Sequence, residues 1–460
     1  MKIKLYKNIF LLFLILNFSN FSAYAENTVD TVFNKNKIVT FSLLKHENTL
    51  GEIDYFDFLR SSIITQPEFL FANLQSIEKS ENLKYAQRQR WPELNARVIN
   101  DHALDRDIDD ITSIRKRRDD SFDAVVELSQ PIYSGGTINA EIRKARYDHN
   151  LSNIEKENAL SNLILDANKY YLSAVKSKEL YDYGIMLIDE MAPYLEKVKE
   201  RVDIGITDPI ELALFSIKFN ALKSRIQILK TQQDRDIAIF EYFFEKKFSE
   251  IYFPEVSVMS IRMNNSRETY NVKGAKIKLN SAKEETKIIK GEFRPQLGFN
   301  TRYTRYDLDE DENDSDIRGG VYFSMPLFTF GRARAKISSY KAKENATQMN
   351  IDIERKADEV GETEIVNIVQ SAINTRSEIF SSFKDTQNQR RIIKNRLDST
   401  AFSAESYVNS GLEEINLLEE FLDVEIRLLH GYFTYLHQNQ GLNNLIRVSP
   451  WIVRIIKKGI

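Results

Sequence analysis

A tandem duplication constrains the fold of this chain more than any other feature of its sequence. The motif QPIYSGG and the motif MPLFTFG each carry a Pro, a few apolar or small residues and a Gly, and a long basic stretch without Pro follows both. Pro326 follows Pro131 by 195 residues, and Gly331 follows Gly136 by the same 195. Repetition at a fixed spacing predicts two copies of one structural unit.

Each unit opens with alternating apolar and polar residues, the period of two that is typical of β-strands. Four such strands of about 10 to 12 residues are predicted, in a first hairpin over 92–132 and a second over 293–328. This length fits strands that cross a membrane at a tilt. The pattern fits a soluble hairpin with one buried face equally well.

Long helices are predicted after each hairpin, since Gly and Pro are rare there. The first set covers 133–292 with a turn near 205, and the second covers 329–440 with a turn near 411. Residues spaced by four and three predict coiled-coil seams. The seam residues are Ala167, Tyr171, Ala174, Lys178, Tyr181, Ile185 and Ile188 in the first set, and Ile365, Val369, Ala372, Arg376, Ile379, Phe383, Thr386, Arg390, Ile393 and Leu397 in the second. Pro193 is expected to kink or break its helix.

The N-terminus resembles a secretory signal peptide over residues 1–25. Three lysines precede the apolar run Ile9–Phe18, and Ala23-Tyr24-Ala25 offers a cleavage site between small residues. A membrane anchor is the alternative, but the run is short for a spanning helix. An N-terminal arm and a first helix are predicted over 26–91, and a basic, apolar tail over 441–460.

Composition excludes several classes of protein. The chain has no Cys, so it forms no disulfide and carries no lipid on a cysteine. Its formal net charge of −3 does not favour binding to nucleic acid. Five scattered His residues accompany no nucleophile, phosphate or metal motif. We therefore expect no enzyme activity, no cofactor and no metal site.

Four strands are too few for a closed membrane barrel, because the smallest such barrels use eight. Open strand edges are not viable in lipid, so several chains would have to pool their strands. Three chains would supply twelve strands and would arrange their helices as a hollow cylinder. The predicted fold class is therefore mixed, with long antiparallel coiled-coil helices and a β-barrel shared by a trimer.

The duplicated pattern, with PIYSGG and PLFTFG as its signatures, resembles the TolC-like outer membrane efflux proteins from about Leu50 to about Gln440. The resemblance implies a homotrimer with a 12-stranded barrel in outer-membrane lipid and a helical tunnel in the periplasm. It also implies a periplasmic adaptor and an inner-membrane transporter of the ABC, RND or MFS type. The cargo of such efflux or type I secretion remains open between small molecules and proteins. A periplasmic or surface coiled-coil protein with a structural or adhesive role is the alternative.

The resemblance also implies sites. The periplasmic gate would use acidic or polar residues near the turns, namely Asp208, Glu211, Asn416, Glu419 and Glu420. The adaptor would dock on Arg201, Val202, Gly205, Ile206, Val408, Gly411 and Leu412. The hinges between barrel and tunnel would be Pro131, Gly135, Gly136, Pro326 and Gly331. Acids near a helix N-terminus can instead simply offset the helix dipole, and the docking residues can be ordinary turn residues.

Two loops between the predicted strands differ in charge. The first contains the basic run 115–118, and the second is acidic over 307–316. The acidic loop lacks the central Gly and the closing Glu of an EF-hand. Attraction between the loops, binding of divalent ions at the cell surface and simple solvation are three open explanations of these charges.

Overall fold

The structure is a computed structural model. It describes residues 50–102, 120–249, 251–255, 268–306, 308, 314–397 and 404–446. The predicted signal peptide, the basic loop, most of the acidic loop and the tail from residue 447 onward lie outside the described residues.

Long helices and a small number of strands make up the described chain. The helices are α1 (Glu52–Ile63), α2 (Pro67–Arg88), α3 (Thr137–Asp203), α4 (Pro209–Phe244), α5 (Tyr270–Glu292), α6 (Arg332–Leu397), α7 (Ala404–Gln438) and α8 (Leu442–Ile446). The strands are β1 (Leu50–Gly51), β2 (Glu93–His102), β3 (Asp120–Ser134), β4 (Pro254–Glu255), β5 (Gln296–Arg305) and β6 (Ser315–Ser324). No helix of these ranges is both long and apolar enough to cross a membrane.

The predicted hairpins form one antiparallel sheet with the strand order β2-β3-β5-β6. The pairing of β3 with β5 shifts register between Pro131 and Tyr133, which is a β-bulge. Within the described ranges β2 and β6 have no further strand partner, so the sheet of one chain has two open edges. The short strands β1 and β4 form a separate parallel pair.

The two faces of this sheet differ in polarity, as the period of two predicts. Directly paired residues point to the same face of a sheet. One face is apolar and includes Leu94, Ala96, Val98, Ala124, Val126, Leu128, Phe299, Tyr303, Ile317, Val321 and Phe323. The other face is polar and includes Asn95, Arg97, Glu127, Ser129, Asn300, Arg302, Asp316 and Arg318.

The duplication extends along the helices with the spacing of the Pro and Gly motifs. Helix α6 begins 195 residues after α3, and α7 begins 195 residues after α4. The equivalent strands β3 and β6 also begin 195 residues apart. Helix α3 continues through Pro193 to Asp203, so the break expected at that proline does not occur.

The chain divides into two compact units. The helical unit contains the described residues of 50–71, 157–270 and 356–446, and the sheet unit contains 72–156 and 271–355. In the helical unit, aromatic and aliphatic side chains of α1, α3, α4, α6 and α7 contribute to a buried core. Its largest members are Tyr55, Tyr171, Tyr183, Phe215, Phe219, Phe240, Phe383, Tyr407, Phe421, Tyr432 and Phe433.

Candidate functional site

The first predicted turn joins α3 to α4 through a left-handed glycine. Gly205 has a φ of 75°, a conformation that favours glycine. Its N–H donates to the carbonyl of Val202 at 2.9 Å, and the N–H of Ile206 donates to the carbonyl of Arg201 at 2.9 Å. These two bonds form a Schellman motif, which satisfies carbonyls at the end of α3. The four docking candidates of the first repeat are thus the residues that close this turn.

The first two gate candidates lie at the start of α4. The carboxylate of Asp208 accepts a hydrogen bond from the N–H of Ile210 at 2.9 Å and so caps the helix, with Pro209 as its first residue. Glu211 lies in the first helical turn, where a negative charge offsets the helix dipole. Asp208 is exposed and Glu211 is half-buried, so both carboxylates remain accessible in a single chain.

The turn predicted near 411 is wrong. Gly411 lies inside α7, and a Cβ at this position would come within 2.5 Å of Cε of Met191 on α3. Val408 is buried and Leu412 is half-buried in the same helix. Helix α7 starts at Ala404, so the connection from α6 falls at 398–403, outside the described residues. Val408, Gly411 and Leu412 serve helix packing, because a glycine lets α3 and α7 approach closely.

The remaining gate candidates lie on α7 in two environments. Asn416 and Glu420 are exposed. Glu419 forms an ion pair with Arg225 of α4, and its carboxylate lies 3.9 Å from Nζ of Lys176 on α3. The same lysine contacts Asp423 at 2.6 Å. Glu419 therefore links three helices, and its negative charge is balanced by two cations.

A buried charge cluster beside α7 was not predicted. Glu414 is 0% exposed and accepts hydrogen bonds from Nε of Arg390 at 2.6 Å and from the hydroxyl of Tyr183 at 2.5 Å. Arg390 also contacts Glu190 at 2.5 Å, and Lys394 contacts the same carboxylate at 2.7 Å. These residues join α3, α6 and α7 in a single polar network.

The pKa values in this cluster follow from burial and from the charged neighbours. Burial raises the pKa of the Glu414 carboxyl, although the bonds from Tyr183 and Arg390 act in the opposite direction. Burial also disfavours the ionised form of Glu190, but hydrogen bonds from Lys394 and Arg390 outweigh burial and lower its pKa. Burial raises the pKa of the Tyr183 hydroxyl, which keeps it a donor at neutral pH. Removal of Arg390 would therefore leave the buried carboxyl of Glu414 without a charged partner, which is energetically unfavourable.

A second buried ion pair lies further along the same two helices. Arg376 of α6 donates to Glu425 of α7, and burial raises the pKa of the Glu425 carboxyl against the effect of that arginine. The equivalent positions of the first repeat, 195 residues earlier, are Tyr181 and Lys230. These two also contact each other, with the ammonium 5.0 Å from the centre of the ring. Equivalent positions thus contact each other in both repeats, through a cation–π contact in the first and an ion pair in the second.

The larger cluster has an apolar counterpart in the first repeat. Arg390 and Glu414 correspond to Leu195 and Phe219, which belong to the hydrophobic core of the helical unit. At this level the α3–α4 hairpin carries apolar core residues where the α6–α7 hairpin carries a buried ion pair. Apolar packing tolerates small shifts, whereas a buried ion pair fixes register because a displaced charge loses its partner.

Exposed isoleucines surround the first turn. Ile204, Ile206 and Ile210 lie at the turn or directly after it, and each is more than 60% exposed. In a single chain these side chains form a small apolar surface beside the carboxylates of Asp208 and Glu211. Such a surface is typical of a contact with another protein.

The predicted hinges lie where strands give way to helices in the sheet unit. Gly135 and Gly136 have φ values of 66° and 92° directly before α3, and Phe330 and Gly331 have values of 46° and 82° directly before α6. Both repeats thus enter their long helix through two consecutive left-handed residues. Pro131 lies at the bulge of β3, and Pro326 follows the end of β6. Their role as hinges of a barrel remains a prediction.

In the described residues, no group of three or more His, Asp or Glu side chains could hold a metal ion. His430 and His437 lie on α7, seven residues apart in the sequence. Nδ1 of His437 lies 2.7 Å from the hydroxyl of Ser161, and burial lowers the pKa of both imidazoles.

The fold is that of TolC-like outer membrane channels, as the sequence resemblance predicts. The CmeC outer membrane channel of Campylobacter jejuni has a TM-score of 0.72 and 13% identity, over 92% of this chain and 94% of that one. The outer membrane protein VceC of Vibrio cholerae has a TM-score of 0.65 and 12% identity, over 82% and 96% of the two chains. The open state of the MtrE outer membrane channel of Neisseria gonorrhoeae has a TM-score of 0.62 and 12% identity, over 84% and 89%. No protein-family model and no curated protein matches the sequence.

Proposed function

We propose that this protein is one subunit of a trimeric outer-membrane exit channel. The observation that carries the proposal is the four-stranded sheet with one apolar face, one polar face and two open edges. Three copies close such sheets into a twelve-stranded barrel, with the apolar face toward lipid and the polar face toward water. The similar fold of known outer membrane channels supports this assembly and this location.

The channel works with an inner-membrane transporter and a periplasmic adaptor. The exposed isoleucines at the first turn support adaptor docking there, on the surface around Arg201, Val202, Gly205 and Ile206. The buried Val408 and Gly411 are unavailable to an adaptor unless α7 moves away from α3. The cargo is a small molecule or a secreted protein, and the residues of a wide duct discriminate little between them.

Cell fractionation and gel migration test the proposal. A detergent extract of the outer-membrane fraction should contain a trimer that survives mild denaturant and becomes a monomer on heating. A soluble monomer in the periplasm would overturn the proposal and favour the structural coiled-coil role.

The carboxylates of Asp208 and Glu211 make the tunnel mouth selective for cations in this proposal. Three copies bring six carboxylates to one constriction, where they attract cations and repel anions. Asp208→Asn with Glu211→Gln should lower the ratio of cation to anion permeability in planar bilayers. Asp385→Asn removes an exposed acid of α6 and should leave the ratio unchanged. An unchanged ratio in the double variant would remove these residues from the gate while leaving the channel proposal intact.

A further inference from the structure

The strand-to-helix junction of the sheet unit carries an excess of positive charge. The junction consists of residues 88–93, 131–138, 291–296 and 325–336, which connect β2, β3, β5 and β6 to their neighbouring helices. Its sequence contains six Lys or Arg residues and two acids, Glu93 and Glu292. The antiparallel order places all four segments at the same end of the sheet.

Most of this charge has no partner in the described part of the chain. The carboxylate of Glu292 forms an ion pair with Nζ of Lys336 at 2.6 Å. One guanidinium nitrogen of Arg90 donates to the side-chain oxygen of Asn139, which is neutral. The other arginines of the junction form no ion pair among the described residues and are exposed, namely Arg88, Arg294, Arg332 and Arg334.

Large exposed aromatic side chains accompany these arginines. Trp91 is 72% exposed and directly follows Arg90, and Phe330 is 89% exposed and lies two residues before Arg332. Phe328 and Phe330 contact each other, with ring centres 4.5 Å apart. Aromatic rings next to basic residues are typical of the level where a membrane protein meets lipid headgroups.

Basic and aromatic residues lie beside both open edges of the sheet. Arg90 and Trp91 precede β2, while Phe330, Arg332 and Arg334 follow β6. If β2 of one copy pairs with β6 of the next, the seam between copies collects arginines from both sides at one rim of the barrel. Like charges so placed repel each other, and Glu93 is the one carboxylate of the junction left without a lysine partner. This excess of positive charge therefore favours an anion from outside the protein at the seam.

We propose that an anionic phospholipid of the helix-side leaflet binds at each seam between subunits. Its phosphate lies between the guanidinium groups of Arg90, Arg332 and Arg334, and its acyl chains contact Phe328 and Phe330. Phosphate suits arginine because the planar guanidinium donates two parallel hydrogen bonds. This inference rests on the proposed trimer, and it adds the class of lipid that the assembly selects.

Fluorescence quenching of Trp91 tests the inference directly. The chain has two tryptophans, so Trp451→Phe leaves Trp91 as the single reporter. The full-length trimer is placed in vesicles that contain brominated phosphatidylglycerol or, at the same fraction, brominated phosphatidylcholine. Quenching by the anionic lipid should exceed quenching by the zwitterionic lipid about twofold or more, as expected from several arginines near a charged surface.

Two matched variants separate the junction from overall charge. Arg332→Gln with Arg334→Gln should bring the quenching ratio close to one, while the trimer and its barrel remain. Arg391→Gln with Arg427→Gln removes two exposed arginines of the helical unit and should leave the ratio as in the parent. Equal quenching by both lipids in the parent would overturn the lipid selectivity but not the channel. No quenching by either lipid would mean that a neighbouring copy or water covers Trp91, and it would also count against membrane insertion at this level.

Discussion

At the scale of residues, the buried ion pair of Arg390 and Glu414 is expected to be costly to break. Removal of one member of a buried ion pair leaves the other charge without compensation, which costs about 3 to 5 kcal/mol. Arg390→Met should therefore destabilise the protein by about 3 kcal/mol, because Glu414 would keep only the hydroxyl of Tyr183. Denaturant unfolding in detergent, followed by the helical circular dichroism signal, measures this loss.

A double-variant cycle distinguishes the pair from simple loss of packing. Arg390→Met together with Glu414→Leu should recover much of the stability, since no buried charge then remains alone. Arg391→Met alters the exposed neighbour on α6 and should change the stability by no more than about 0.5 kcal/mol. Strictly additive losses in the double variant would contradict the ion-pair interpretation.

Two half-buried imidazoles are expected to make the helical unit sensitive to acid. Burial lowers the pKa of His430 and His437 below the ordinary value of 6.5, with Lys169 acting in the same direction on His430 and Asp166 against it. The unfolded chain therefore binds protons more readily than the folded chain once the pH falls below 6.5. The stability that the neutral imidazoles contribute is present above 6.5 and is lost as the pH falls through their lower folded pKa values.

We expect the melting temperature of the protein to fall as the pH is lowered below about 6.5, the ordinary pKa of histidine, because the unfolded chain then binds protons that the folded chain resists. His430→Gln with His437→Gln should flatten this dependence, because glutamine does not titrate. Each unit of pKa shift is equivalent to about 1.4 kcal/mol. If the slope of melting temperature against pH is the same in parent and double variant, other groups control the acid response.

At the scale of elements, the two glycines directly before α3, Gly135 and Gly136, have different surroundings. Both Gly135 and Gly136 have positive φ, which costs an L-residue about 1 to 2 kcal/mol. A Cβ on Gly135 would also lie 2.3 Å from the backbone oxygen of Gly291, whereas the nearest atom to a Cβ on Gly136 is 4.0 Å away on Arg294. Gly135→Ala should therefore reduce the yield of the heat-sensitive trimer much more than Gly136→Ala. Similar yields would show that α5 can move away from the junction.

Sequence periodicity predicted the existence of the long helices but only part of their packing. The seam of α6 is confirmed, since Val369, Ala372 and Phe383 are buried. In α3 the predicted seam holds over its first part, since Ala167, Tyr171 and Ala174 are buried. Further along, the predicted Tyr181 and Ile185 are only half-buried, and Tyr183 and Leu187 are buried instead. A straight α-helix has 3.6 residues per turn, so its buried face drifts away from a strict seven-residue repeat.

The second turn and the buried charges show where sequence patterns are insufficient. The spacing of 195 residues maps Gly205 onto Thr400, whereas the apparent match of Gly411 to Gly205 relied on local similarity alone. That spacing, applied along the whole repeat, places the second turn before α7. No local pattern reveals the partners of Glu414, because Tyr183 lies 231 residues away in the sequence and Arg390 lies 24 residues away on another helix.

At the scale of the whole molecule, α4 has an apolar stripe that its own chain leaves exposed. Phe215, Phe219 and Leu222 of this helix are buried in the core of the helical unit. Ile217 and Ile228 are 62% and 58% exposed, in one stripe with Leu214 and Ile239. At 3.6 residues per turn this stripe lies on the side of α4 opposite to the buried residues. In the proposed trimer, a neighbouring copy covers it.

Ile217→Asp with Ile228→Asp should therefore weaken assembly without affecting the core of a single chain. Burial of each isoleucine at a contact between copies would contribute about 1.5 to 3 kcal/mol, and an aspartate would replace this gain with a buried charge. The temperature at which the trimer dissociates on a gel should fall well below that of the parent. Asn220→Asp with Gln227→Asp adds the same charge to exposed positions of α4 outside the stripe and should have little effect. A trimer of unchanged heat stability would mean that subunits associate through the strands alone, because the helices would then contribute no contact at this stripe.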